Sequence, residues 1–217
     1  MQTTSTTNRL TLFDYLDKDN SSAAALQSVV DMSKSSPLEA AQTVEDSLTD
    51  VQSIDALVDK INAGDSKVSQ STIADMLEFY FKQVSDEVAD KAEDLGLESV
   101  PPIAMEDGKW QLVADDEPTD KQQALLDYLN RDTRLSERLE RVSSLSQLNE
   151  LSLSQQFARN LQEGDASEDE VTDFLFSTRD EILAGKVLGI DNGQLTLGNV
   201  GIAQGAYDKL SDTKDSE

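Results

Sequence analysis

The feature that most constrains this chain is a segment that occurs twice. Leu12-Phe13-Asp14-Tyr15-Leu16-Asp17-Lys18-Asp19 returns as Leu125-Leu126-Asp127-Tyr128-Leu129-Asn130-Arg131-Asp132, with five positions identical and three exchanged like for like. Further echoes follow in the same order. Ile61-Asn62-Ala63-Gly64-Asp65 and Ile73-Ala74-Asp75-Met76-Leu77 match Leu161-Gln162-Glu163-Gly164-Asp165 and Val171-Thr172-Asp173-Phe174-Leu175. Asp86-Glu87-Val88 matches Asp180-Glu181-Ile182, and Leu95-Gly96-Leu97-Glu98 matches Leu188-Gly189-Ile190-Asp191. Order-preserving self-similarity limits a chain to related units, so it is read before anything else. The expectation is a tandem duplication of one helical unit, the second copy shorter.

Periodicity supplies the elements. Apolar residues at 38, 41, 44, 48, 51, 54, 57/58 and 61 recur at helical spacing. Ser36 is placed to cap that helix, with Pro37 first and Glu39 third, and a break is expected near Thr49–Ser53 and an end at Gly64. Ser69 or Ser71 opens the next helix, which runs to about Leu95. Its apolar stripe is Ile73, Met76/Leu77, Tyr80/Phe81, Val84, Val88 and Ala92, and Asp75, Glu78, Asp86, Glu87, Asp90, Glu93 and Asp94 face outward. Pro101-Pro102 excludes helix. Asp107-Gly108 and Asn192-Gly193 then sit between apolar runs, each a β-hairpin signal because the tight turn needs two positive φ angles. Trp110 is expected to pack the first hairpin onto helices.

In the second half, Thr119 or Asp120 caps a helix to about Asn130, and Asp132 or Thr133 starts another. Leu135, Leu139 and Val142 share a face with Tyr128. The Ser-rich run through Leu145, Leu148, Leu151 and Leu153 reads as less regular before helix resumes to Gly164. Ser167 with Glu170 forms a capping box before a helix through Val171–Leu183 that ends at Gly185 or Gly189. Residues 198–210 read as weakly helical and 211–217 as a frayed tail. The fold class is therefore mainly α with two short β-hairpins (α+β). The expected division is a flexible lead over 1–9, a first repeat with hairpin over 10–113, an acidic linker over 114–120, a second, shorter repeat over 121–200, and a tail over 201–217.

Composition excludes much chemistry. The 217 residues contain no cysteine and no histidine, which removes thiol chemistry, disulfides, the commonest metal ligand and the commonest general base. No phosphate-cradling glycine loop and no serine nucleophile elbow occur. Asp17-x-Asp19-x-Ser21 begins like a calcium loop but has Ser22 where glycine belongs and Ser28 where glutamate belongs. No cofactor is expected. The start carries no secretory signal and no apolar run approaches a membrane span. The expected location is cytoplasmic or inside a particle, with export by a route needing no cleaved signal left open.

Charge points to partners. The net charge of −25 opposes direct contact with nucleic acid or anionic membranes and favours basic protein surfaces. The one segment that is not acidic is 121–160, with six basic and five acidic side chains. Its Arg131, Arg134, Arg138 and Arg141 step by three, four and three, one helical stripe. The stripe is expected to pair with Asp127, Glu137 and Glu140 along its helix and with acidic helices of the other copy or another subunit, or to dock an acidic partner. The residues singled out for partner contact are these four arginines with Phe79, Tyr80, Trp110, Asp86, Glu87 and Asp90.

Three functions are weighed. The first is a non-catalytic acidic assembly protein, a component or scaffold of a virus or phage particle or of a secretion assembly, acting as a homo-oligomer or within a larger structure. The second is a DNA mimic whose carboxylates occupy the groove of a nucleic-acid enzyme. The third is a carboxylate-based enzyme, disfavoured by the shortage of aromatics for a substrate platform.

Overall fold

A helix of 31 residues, about 46 Å long at 1.5 Å per residue, organises the molecule. The computed structural model describes residues 37–114, 117–164 and 166–214, with side chains to residue 211. In chain order the elements are α1 (37–47), α2 (Val51–Ala63), α3 (Gln70–Leu95), β1 (Val100–Glu106), β2 (Lys109–Leu112), α4 (Asp120–Arg131), the long α5 (Thr133–Glu163), α6 (Glu168–Ala184), β3 (Leu188–Asp191), β4 (Gln194–Leu197) and α7 (Ile202–Lys214). The fold is mainly helical with one small antiparallel sheet, in agreement with the periodicity. The Leu12–Asp19 echo, the Asp17–Ser21 loop and the Ser36 cap lie outside the described residues.

Side chains at the helix starts set the breaks. Asp50 accepts from the Ser53 N–H at 2.8 Å and separates α1 from α2. Ser69 accepts from the Thr72 N–H at 3.2 Å to start α3. Thr119 with Gln122 and Ser167 with Glu170 form complete capping boxes for α4 and α6. Asp132 accepts from the N–H groups of Arg134 and Leu135 at 2.9 and 3.2 Å, so α4 ends and α5 begins at one residue. Each cap satisfies donors that a helix start leaves orphaned, a contribution of about 1 kcal/mol.

The sheet order is β2-β1-β3-β4, antiparallel throughout. Asp107 and Gly108 have φ of 49° and 74°, and Asn192 and Gly193 have 50° and 73°, the geometry that matches strand twist in two-residue hairpins. The hairpins join through β1 and β3, with Val100 opposite Ile190 and Ile103 opposite Leu188. Between those pairs the register shifts, and Pro101 and Pro102 sit in that irregularity. A proline has no N–H to donate, so an interior strand tolerates it at such a bulge. The first hairpin therefore starts three residues earlier than its apolar pattern suggests. The Gly193 N–H donates to the Glu98 carbonyl at 2.8 Å, pinning the second turn to the loop after α3.

One face of the sheet is buried. Val100, Ile103, Trp110, Leu188, Ile190 and Leu195 pack against Val84, Val88 and Ala92 of α3, Leu125, Leu126 and Leu129 of α4, and Leu135, Leu139 and Val142 of α5. A second cluster joins Ala40 and Val44 of α1, Ile54, Leu57 and Val58 of α2, Val68, Ile73 of α3, Leu145, Leu148 and Leu151 of α5, and Ile182 of α6. A third joins Ala158 and Leu161 of α5 to Val171 and Phe174 of α6, with Tyr207 and Leu210 of α7 against it. Successive segments of α5 thus enter all three clusters, and the hairpins of the two halves share one sheet.

The Ser-rich stretch expected to be irregular is the buried middle of α5. From Val142 to Leu148 every residue is buried, and Glu150, Leu151, Ser152 and Ser154 follow. Neighbours surround this stretch on every side, so short serine side chains stand where larger groups would push them away. Polar groups there need partners. Ser154 Oγ donates to the Leu151 carbonyl at 2.9 Å, and Ser146 Oγ donates to Asn199 Oδ1 at 2.6 Å. Glu150, 2% exposed, accepts from the Gly201 N–H at 3.1 Å and the Ala203 N–H at 3.0 Å. A carboxylate of the central helix therefore caps α7, where the aligned N–H groups favour a negative charge. The stretch read as tail from residue 201 holds this helix, packed on α5 and α6. Among the described residues no helix is long and apolar enough to cross a membrane.

Two substitutions test this seam. Glu150→Ala leaves the α7 donors unsatisfied and should cost about 1–3 kcal/mol, read as a lower urea midpoint in chemical unfolding. A Cβ at Gly198 would lie 2.5 Å from Val187 Cγ2 and 3.1 Å from the Gly185 carbonyl oxygen. Gly198→Ala should therefore cost about 1–3 kcal/mol as overpacking, seen as a lower midpoint with unchanged slope.

Candidate protein-interaction surface

The inner stripe of α3 fixes what its outer face presents. With Ile73, Val84, Val88 and Ala92 buried, helical spacing turns Asp75, Glu78, Asp86, Asp90, Glu93 and Asp94 to solvent, and all are exposed. None of these carboxylates forms an ion pair among the described residues. Phe79 stands among them, 61% exposed, its ring meeting Tyr80 edge-on at 5.3 Å. Asp75, Glu78, Phe79, Lys82, Gln83 and Asp86 surround a shallow depression of about 530 Å³.

Other expected contact residues serve the fold itself. Trp110 packs the first hairpin onto the helices as expected, and at 2% exposure its ring has no surface left to offer a partner. Its indole N–H donates to Ser136 Oγ at 3.0 Å, and its backbone exchanges hydrogen bonds with the Asn130 side chain at 2.7 and 2.9 Å. Glu87 turns inward from the acidic face. It accepts from Arg138 Nη2 at 2.8 Å and from the Tyr128 hydroxyl at 3.1 Å, while Lys91 lies 5.4 Å from the Tyr128 ring centre. Arg141 pairs with Glu45 of α1 at 3.1 Å and covers the half-buried Tyr80 ring at 5.1 Å.

The arginine stripe thus divides. The break at Asp132 leaves Arg131 on α4 and the other three on α5, and Arg138 and Arg141 reach across to α3 and α1 rather than to Asp127 of α4 or along α5 to Glu137 or Glu140. Arg131 and Arg134 remain exposed and form no ion pair among the described residues. All four ion pairs among the described residues join different segments, the others being Lys67–Glu39 at 2.6 Å and Arg179–Asp55 at 2.7 Å. Pairing with acidic helices of the first half was expected and is found, but helical spacing carries no information on which carboxylates arrive.

The two seam tyrosines feel this arrangement. Burial, followed by the hydrogen bond to Glu45, raises the Tyr80 pKa above its ordinary 10.0. Burial, followed by the hydrogen bond to Glu87, does the same for Tyr128. Among the described residues no group of three His, Cys, Asp or Glu is placed to hold a metal ion. Glu150, Ser146 and Asn199, which the sequence reading passed over, form a buried polar junction; the available signal was an acid amid serines on a helix with no solvent face. Comparison with protein-family models, with curated proteins and with solved structures finds no match.

Two measurements test the seam. A Glu87→Gln/Arg138→Gln double-mutant cycle should give a coupling of about 0.5–1 kcal/mol that shrinks with salt, since both groups are partly solvated. A phenol whose folded pKa is raised adds stability below its unfolded pKa and loses it as pH climbs through the folded value. Spectrophotometric titration should therefore show two phenols ionising late, above pH 10.0. Tyr80→Phe and Tyr128→Phe should each remove one of them, and stability should fall in that alkaline window.

Proposed function

We propose that this protein is a non-catalytic acidic assembly protein that docks basic protein surfaces through the outer face of α3. It would serve as a component or scaffold of a virus or phage particle or of a secretion assembly, with self-association held back by its charge until a basic partner or salt screens it. The observation that carries this reading is the row of unpaired carboxylates around an exposed Phe79, on a helix whose inner face is anchored in the core. Charges of one sign along a rigid element steer an oppositely charged partner, and an aromatic among them supplies buried area once water leaves. We also propose that the two halves descend from one unit. Two helices followed by a hairpin occur in that order twice, as α2-α3-β1-β2 and α5-α6-β3-β4, with α4 opening the second unit as the Leu12–Asp19 echo requires.

Light scattering on the full chain tests the assembly reading. At about 1 M salt, where the screening length falls to about 3 Å, self-association should appear that is absent at low salt. A chain that stays monomeric throughout, and instead blocks a DNA-binding enzyme in competition with duplex DNA, would support mimicry in its place. Poly-lysine binding locates the surface. Replacing Glu78, Asp86 and Asp90 by their amides should weaken binding at least several-fold more than the same exchange at Asp169, Asp173 and Asp180 of α6. Equal losses would mean that net charge alone drives binding.

A further inference from the structure

An apolar groove of about 500 Å³ lies between α3 and the end of β4. Ala74, Leu77 and Phe81 form one wall, Leu197 and Val200 the other, with Glu78 at the rim. Val200 is 56% exposed, an unusual position for a valine beside other apolar side chains. We propose that the groove seats the chain's own residues 10–16, with Leu12, Phe13 and Leu16 entering it. This inference does not depend on α3 binding a basic partner.

Three observations choose this occupant. The first is the recurrence of the Leu12–Asp19 pattern in α4, where the corresponding Leu125, Leu126 and Leu129 are 0, 6 and 1% exposed. That spacing of apolar residues serves burial against a preformed surface. The second is reach. Glu39 of α1 contacts Lys67 at 2.6 Å, and Lys67 stands two residues before the Ser69 cap of α3, so the start of the described chain lies beside the helix that carries the groove. The twenty residues between Leu16 and Pro37 span up to about 70 Å when extended, whereas Ala74 lies only about 8 Å along the axis from Ser69.

The third is charge. Residues 1–36 hold three basic and four acidic side chains, so nearly all of the −25 net charge falls on the remainder. Arg9 and Lys18 flank the apolar run and are nearly balanced by Asp14, Asp17 and Asp19, so the segment brings little added negative charge to a rim bearing Glu78. A second copy of the chain would bring another −25 to the same surface, and like charge opposes that approach at low salt. A tethered segment meets no such barrier and acts at an effective concentration on the order of mM.

The chain has no cysteine, so introduced pairs report position directly. The full chain carrying Leu16→Cys with Val200→Cys, oxidised at low concentration, should run mostly as an intramolecularly crosslinked monomer on a non-reducing gel. Leu16→Cys paired with Phe176→Cys on α6, or with Val113→Cys beyond β2, should crosslink at least several-fold less. Equal crosslinking in all three pairs, or disulfide-linked dimers as the main product, would overturn the proposal, the second outcome assigning the groove to another copy. An independent readout is a hydrophobic dye. Phe13→Asp with Leu16→Asp should raise its fluorescence at least two-fold, and adding Val200→Asp should remove the rise; no rise would also count against the proposal.

Discussion

The fold depends on a helix that must be buried on all sides without becoming wholly apolar. The middle of α5 meets neighbours in every direction, and its serines, Gln147 and Glu150 are buried with its leucines. Apolar side chains alone would leave the start of α7 with unpaired N–H groups in a dry environment. The Glu150 carboxylate meets them, and Ser146 holds the adjoining turn through Asn199. Charge-assisted bonds to N–H groups are about twice as strong as neutral ones, so α7 is attached by chemistry as well as by the contacts of Tyr207 and Leu210. The junction is not fully satisfied. Both polar atoms of Gln147, the Thr178 hydroxyl and the Asn199 amide nitrogen have no partner among the described residues.

Close approach of the backbone completes the seam. At Gly185 a Cβ would lie 3.0 Å from Ile202 Cδ1 and 3.1 Å from Asn199 Cα, and Gly198 has still less room. The segment between β4 and α7 can lie against the end of α6 only because both positions lack side chains. The same contact holds Asn199 in reach of Ser146. Small residues, a buried acid and a helix start thus act as one unit, and a change in any of them displaces the others.

Charge constrains the rest. The chain has 18 basic and 43 acidic side chains, so most carboxylates must find water rather than a partner. The four ion pairs among the described residues lie where separate segments meet, and none of these joins neighbours along one helix. An exposed pair contributes at most about 1 kcal/mol, but at a seam it also prevents acids on adjoining helices from facing one another unscreened. With Arg138 and Arg141 used against Glu87 and Glu45, six carboxylates on the outer face of α3 are left facing solvent. The surface proposed for partners is in this sense a residue of how the interior was neutralised.

What the sequence revealed follows the range of each physical cause. Caps and hairpin turns are decided within four residues, so Ser69, Thr119, Ser167, Asp107-Gly108 and Asn192-Gly193 were legible from the chain alone. The middle of α5 was not, because serines among leucines are as compatible with a loop as with a helix surrounded on all sides, and only the arrival of α1, α3, α6 and the 198–201 segment distinguishes the two. Pro101-Pro102 misled in a narrower way: they exclude helix, but the register shift that admits them to a central strand exists only because β3 pairs alongside. The same distinction separates the contact residues. Phe79 was singled out from local pattern and is exposed, and Trp110 was expected against helices and is buried there, but its partners Asn130 and Ser136 come from other elements and were not legible. A side chain offered by one helix face can be inferred from spacing, but one enclosed by three elements requires their assembly.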